Sequence, residues 1–141
     1  MTHIAFVDVN VFMYAAGASH SLKAPCVKIL SDIETGALSA ATNTEVLQEL
    51  LYRYSHIGLP GKGTQLCRDI LQYPLTILPV TEADVRLAIR LFDSYCNTGL
   101  RPRDAIHAAT MQNHSISHLV SADKDFDKLP FITRIDPLSY L

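Results

Sequence analysis

LRPRDAIHAATMQNHSISHLVSADKDFDKLP, residues Leu100 to Pro130, joins an acid-headed helix to a short strand and an Asp-rich turn. The rest of the chain reads as supplying partners for those aspartates. Pro102 suits the first turn of a helix, where its missing N–H costs nothing, and Asp104 follows two residues later with its carboxylate near the positive end of the helix dipole. The helix continues through Ala105, Ile106, Ala108, Ala109 and Met111, small residues that allow close approach to a sheet, and its pattern fades over Asn113 to Ser117. His118 to Ala122 (HLVSA) leans toward a strand, and Asp123, Asp125 and Asp127 crowd its C-terminal end. A strand ending in acids beside a helix that begins with one is the outline of a metal site.

The bulk composition suits one domain, residues 1–141, large enough to bury its own core: 48% of residues are apolar and 18% charged. No apolar run approaches the ~18 residues of a membrane span, and the N-terminal MTHIAFVDVN has no basic segment ahead of its apolar stretch. The expectation is a soluble, cytoplasmic protein with no membrane partner. Cys26, Cys67 and Cys96 lie far apart with no CxxC, which suits reduced thiols rather than disulfides or zinc. A net charge of −2 argues against a polyanionic partner, but setting four carboxylates aside as metal ligands leaves 12 basic residues against 10 acidic.

Taken in order, strand-like and helix-like segments alternate. His3 to Val9 reads as a buried strand whose apolar run ends on Asp8, with Asn10 opening a short apolar helix through Val11, Phe12, Met13 and Tyr14. Between Leu22 and Glu34, the residues Cys26, Ile29, Leu30 and Ile33 fall on one helical face, closed by Gly36. Leu38 to Ala41 is the second expected strand. Thr42 then stands three residues before Glu45 with the spacing of a capping box, ahead of an apolar stripe of Leu47, Leu50, Leu51 and Tyr54. Ile57 to Thr64 (IGLPGKGT) reads as the main loop and lacks the spacing of a phosphate-binding loop, and a short helix with Leu66, Ile70 and Tyr73 on one side follows it. Leu75 to Val80 is a third strand, Thr81 caps a helix ended by Gly99, and Ile132 to Ile135 is a fifth strand.

This alternation predicts an α/β fold, three-layer α/β/α with a mostly parallel sheet of about five strands, because parallel strands need crossovers and are covered on both faces. Ligands in such sheets collect at the carboxyl ends of the strands. Asp8 and Asp123 end expected strands, and Glu45 and Asp104 begin expected helices, so all four share one edge. Gathered carboxylates repel unless a cation joins them, and a hard ion such as Mg²⁺ or Mn²⁺ prefers this all-oxygen surrounding. Such ions acidify water and neutralise a leaving oxygen, so hydrolysis of a phosphate ester is the chemistry that fits. Bland roles compete at each position: Asp8, Glu45 and Asp104 can serve as helix-terminal groups, Glu49 lies one turn beyond Glu45, and His107, with no HExxH partner, suits packing or a substrate contact.

The stretches DVNVFMYA (Asp8 to Ala15), TEVLQELLYR (Thr44 to Arg53), RPRDAIHAA (Arg101 to Ala109) and SADKDF (Ser121 to Phe126), in this order and spacing, resemble the PIN domain family and, within it, the VapC-type toxin ribonucleases. The resemblance implies that Asp8, Glu45, Asp104 and Asp123 are the catalytic acids. It further implies Asp125 as an auxiliary metal ligand beside Asp8, Asp104 and Asp123, with Asn10 and Ser121 as polar supports. The activity implied is Mg²⁺-dependent endoribonuclease cleavage of single-stranded RNA, restrained by a small antitoxin as in a type II toxin–antitoxin pair. Arg101, Arg103 and Lys124 flank the expected site and are candidates for RNA phosphates.

Rival readings are separable on residues. A haloacid dehalogenase-type phosphatase needs a second Asp where Asn10 stands, and an amide cannot serve as the general acid. A ribonuclease H-type site shares the order of acids but begins with antiparallel hairpins, against the helical periodicity between Asp8 and Leu38. A non-catalytic RNA- or protein-binding PIN module would not need all four acids, and a free-standing PIN nuclease would lack an antitoxin. A homodimer is also expected, because Phe12, Met13, Tyr14, Leu51, Tyr52 and Tyr54 carry more apolar and aromatic surface than a small domain readily buries.

Overall fold

The computed structural model describes residues 3–140. Strands β1 (Ala5–Val7), β2 (Ala40–Asn43), β3 (Thr76–Leu78), β4 (His118–Val120) and β5 (Thr133–Ile135) form one sheet in the order β3-β2-β1-β4-β5. All four neighbouring pairs are parallel. Consecutive residues of β1 point to opposite faces, yet Ala5, Phe6 and Val7 are all buried, so the central strand is covered on both sides. The edge strands β3 and β5 carry exposed or half-buried residues throughout.

Among the described residues, six α-helices supply that cover: α1 (Val9–Ala16), α2 (Lys23–Thr35), α3 (Thr44–His56), α4 (Pro60–Gln72), α5 (Glu82–Tyr95) and α6 (Pro102–Asn113). The terminal signals of three behave as read. Gly36 ends α2 in the left-handed conformation, with φ 85°, Thr81 and Asp84 form a reciprocal capping box on α5, and Pro102 opens α6.

Four local expectations are corrected. Asp8 lies beyond β1 and caps α1, so the helix opens at Val9 rather than Asn10. The second strand runs two residues further than expected, to Asn43, and Asn43 rather than Thr42 caps α3 by accepting from the Val46 N–H at 3.0 Å. Thr42 instead donates its hydroxyl to the Val7 carbonyl at 3.0 Å, a sheet contact invisible to local spacing. The segment read as the main loop is mostly helix, since α4 already begins at Pro60, and the link from α3 is only Ile57 to Leu59.

The glycines that suggested a loop have two different reasons. A Cβ at Gly63 would stand 2.8 Å from the Tyr54 Cβ, so this glycine lets α4 lie against α3, while nothing lies within 4 Å of a Cβ at Gly61. The motive for a dimer changes as well. Phe12 and Tyr54 are buried in the core, leaving only Leu51 and Tyr52 of the six named residues as exposed large apolar groups.

Opposite signs are therefore expected at two neighbouring glycines. Gly63→Val should destabilise the chain by about 1–3 kcal/mol through overpacking, whereas Gly61→Ala should stabilise it by roughly 0.4–1 kcal/mol by restricting the unfolded chain. Urea unfolding of both variants checks this, and a stabilised Gly63→Val would refute the close approach of α3 and α4.

Candidate active site

In sequence order the sheet grows from β1 through β2 to β3 on one side and then continues with β4 and β5 on the other. The strand order thus switches between β1 and β4, where the connections diverge and leave a crevice at the carboxyl edge. Register aligns Val7 with Val120, so the residues just past them, Asp8 and Ser121, emerge side by side.

Asp8 is 4% exposed. Its Oδ1 accepts from the Val9 N–H at 2.8 Å, and its Oδ2 accepts from the Ser121 hydroxyl at 2.6 Å and the Asn10 amide at 3.2 Å. Asn10 also ties the two strand ends together, because its Oδ1 accepts from the Ala122 N–H at 3.1 Å. Burial pushes the Asp8 carboxyl above its ordinary range, and the Ser121 and Val9 donors offset that only in part. The Asp123 N–H donates to the Ser121 oxygen at 3.0 Å, setting the start of the Asp-rich turn against the same support.

Asp8, Val9, Asn10, Glu49, Arg53, Arg101, Arg103, Asp104 and Asp123 line one small cleft. Asp104, in the first turn of α6, accepts from the Arg101 backbone N–H at 3.3 Å. Its carboxyl is raised to about 6, first by burial and then by the neighbouring charges of Asp123 and Asp8, against the pull of that N–H. Asp125 stands beside the cleft, donating its backbone N–H to Asp123 and pairing loosely with Lys128 and Arg101 at 3.7 and 3.9 Å. Asp127 is turned away and held by both arms of Arg134, at 2.8 and 3.1 Å. Lys124 is exposed and outside the cleft lining.

Glu45 sits at the rim, 3.3 Å from Arg103, and the cleft wall on α3 is formed one turn later by Glu49. Glu49 is 3% exposed and binds Arg53 through Nε and a terminal nitrogen at 2.9 and 2.7 Å, with Arg103 at 3.5 Å. Burial works to raise its carboxyl, but His107, Arg53 and Arg103 outweigh burial and hold it below the ordinary range. The sequence signal for Glu49 was its spacing, since i+4 places it on the face of Glu45.

Arg101 reaches Asp104, Asp123 and Asp125 at 3.8 to 3.9 Å through a side chain that is 64% exposed. Such loose, solvated pairing contributes little and is readily exchanged. Among the described residues, no three His, Cys, Asp or Glu side chains converge closely enough to hold an ion as they stand. The donor set nevertheless fits a hard cation. Asp104 is forced upward first by burial and then by its acidic neighbours Asp123 and Asp8, and a divalent ion would relieve both.

Sheet and cleft define an α/β protein with a carboxylate-and-arginine site at its switch point, suited to phosphate esters. The sequence pattern of the PIN domain family matches residues 5–132. Over 129 residues, 92% of this chain and 97% of the relative, it is 35% identical to VapC ribonuclease Mb1869c of Mycobacterium bovis, and the same figures hold for ribonuclease VapC13 of Mycobacterium tuberculosis. Among solved structures, Mycobacterium tuberculosis VapC20, described as a sarcin-ricin loop cleaving toxin, superposes with a TM-score of 0.77 at 17% identity, covering 92% of this chain and 96% of that one. VapBC2 of Rickettsia felis, bound to a DNA fragment from its promoter, gives 0.70 at 18% identity, covering 94% and 97%. The chain belongs to the PIN domain family, among its VapC-type ribonucleases.

An ionised Asp104 weakens the metal-free fold, and the sign follows from its raised value. Above about 6 the folded state carries a desolvated charge that the unfolded chain solvates, and below the ordinary value of 3.8 both states are protonated. In chelator-treated protein, Asp104→Asn should be more stable than the parent at pH 7, by on the order of 1–3 kcal/mol. That advantage should shrink as pH falls through 6 toward 4. Urea titrations at several pH values check this, and a variant less stable than the parent at pH 7 would contradict it.

Proposed function

We propose that this chain is the toxin of a type II toxin–antitoxin pair, an endoribonuclease that cleaves single-stranded RNA with Mg²⁺ or Mn²⁺. One observation carries the reading. Asp8, Asp104 and Asp123 face a single cleft whose remaining wall holds Glu49 and three guanidinium groups. Support also comes from relatives named as ribonucleases and from neighbours solved as toxin–antitoxin assemblies. RNA as substrate places its action in the cytoplasm. Among the described residues no helix is long and apolar enough to cross a membrane.

Asp8, Asp104 and Asp123 would hold the ion, with Asp125 and Glu45 at the margin. When bound, such an ion supplies Lewis acidity toward water and toward a phosphate ester. This chain's own groups do the rest. Ser121, Asn10 and the Val9 N–H hold Asp8 in one orientation before any ligand arrives, so little reorganisation is needed. Arg101, freed from its loose contacts, and Arg103, over the Tyr52 ring at 5.6 Å, offer planar donors to phosphate oxygens. Arg53 is the least available of the three, being committed to Glu49.

Two apolar grooves fit the proposed partners. The apolar stripe of α3 is closed off by α4, with Leu50 and Tyr54 buried and Gly63 set against Tyr54. An open groove instead runs between α1, α2 and α4, lined by Phe12, Val27, Leu30, Leu66 and Ile70, and suits an amphipathic antitoxin segment. On the other flank, Val85 and Ile89 of α5 are 41% and 64% exposed beside Phe92 and Ile106, and this face is proposed to bury itself in a homodimer.

Cleavage should leave 5′-phosphate and 3′-hydroxyl ends, stop in EDTA, and fall by roughly two to three orders of magnitude in Asp8→Asn or Asp104→Asn. Full activity in EDTA, or 2′,3′-cyclic phosphate products, would defeat the mechanism. Light scattering should show a dimer that Ile89→Asp converts to monomer. A wild type that scatters as a single 15.6 kDa chain at micromolar concentration would refute the pairing.

A further inference from the structure

His107 on α6 is 1% exposed and packs its ring 5.6 Å from that of Phe6. Among the described residues its Nε2 is the buried side-chain polar atom with no hydrogen bond. The two acceptors facing it are Glu49 Oε1 at 3.5 Å and Asp8 Oδ1 at 4.0 Å, both too distant for a well-formed bond.

Which ring nitrogen carries the proton follows from Asn43. Its Oδ1 is committed to the Val46 N–H as the cap of α3, so its amide nitrogen is the group that faces His107. That nitrogen has two hydrogens and two recipients, His107 Nδ1 at 3.1 Å and the Thr110 hydroxyl oxygen at 3.1 Å. Thr110 is itself anchored, with Asp84 Oδ2 and the Ile106 carbonyl each at 3.1 Å from its hydroxyl. Asp84 in turn accepts from the Asn113 amide at 2.8 Å. Asn43 therefore has no freedom to rotate, His107 Nδ1 is an acceptor, and the ring hydrogen is on Nε2, aimed between Asp8 and Glu49.

We propose that His107 is a positioning residue, its Nε2–H being the buried donor that draws Glu49 toward Asp8 and keeps both carboxylates turned into the cleft. This rests on the ribonuclease reading for its kinetic consequence but not for its geometry. Through Asn43, Thr110 and Asp84 the donor is braced against the cap of α5, so the site is held by a buried polar chain that reaches two further helices. Glu49 thereby becomes a member of the site on the strength of its partners as well as its place in the wall.

The experiment compares wild type, His107→Phe, His107→Gln and Asn43→Asp, each as the full chain. Cleavage of a single-stranded RNA with Mg²⁺ or Mn²⁺ is resolved into kcat and KM. Long-range ¹H–¹⁵N correlation NMR on metal-free protein reads the His107 tautomer. In His107→Phe, kcat should fall about tenfold to a hundredfold, the range for losing a group that orients metal-binding carboxylates, while KM for RNA stays near that of wild type. His107→Gln, which restores an amide donor, should recover most of the loss. Asn43→Asp keeps an oxygen for the helix cap but presents a carboxylate to Nδ1, so it should move the proton to Nδ1 and lower kcat as His107→Phe does.

Wild-type kcat in His107→Phe, or a proton on Nδ1 in the wild type, overturns the proposal. So does an equal loss in the Phe and Gln variants that follows their melting temperatures. Should His107→Phe fail to fold, His107→Gln and the tautomer still decide. A wild type inactive with either ion defeats the ribonuclease reading itself, while the tautomer separately reports whether the donor faces Asp8 and Glu49.

Discussion

A carboxylate buried to 4% exposure at the end of the central strand is the constraint on which the rest of this structure depends. An isolated charge there would be prohibitively costly. Asp8 is tolerated because Val9, Ser121 and Asn10 each donate to it. Those donors arrive only if β1 and β4 are parallel neighbours in the register that aligns Val7 with Val120, and only if α1 starts immediately after the strand. Ser121 then also receives the Asp123 N–H, and Asn10 receives that of Ala122. One buried acid thus links the pairing of two strands, the start of a helix and the path of the turn that carries the next acid.

Electrostatic strain is concentrated on the same edge. Asp104 is driven to about 6 by burial and by Asp123 and Asp8, whereas Glu49, equally inside the wall, is held low because His107, Arg53 and Arg103 answer it directly. The contrast separates two kinds of carboxylate. Glu49 is neutralised by the fold, and Asp104 is left for something outside the chain to neutralise. A site that lowers metal-free stability is a common correlate of function, since a bound cation stabilises the folded state by mass action.

Signals that act within one helical turn were legible in the chain. Pro102 and Asp104 at the head of α6, the Thr81 box and Gly36 each depend on backbone groups three or four residues away, so spacing sufficed. The errors came where a local rule had a tertiary competitor. Thr42 has the spacing of a cap, but its hydroxyl is taken by Val7 on the adjacent strand, which extends β2 and passes the cap to Asn43. Gly61 and Gly63 resemble a loop, but Gly63 is small because Tyr54 of α3 leaves no room for a Cβ.

The sequence by itself determined the class of fold, the alternation of strands and helices, and the acids Asp8, Asp104 and Asp123 as candidates, because hydrophobic period and helix-terminal chemistry are local properties written along one chain. Only the tertiary structure decided that Glu49 rather than Glu45 forms the cleft wall, that Asp127 is spent on Arg134, and that His107 is buried with its Nδ1 against the Asn43 amide. Each of those outcomes depends on which long-range partner reaches a polar group first. Strand order and helix packing settle that competition, and neither is encoded in the spacing of neighbouring residues.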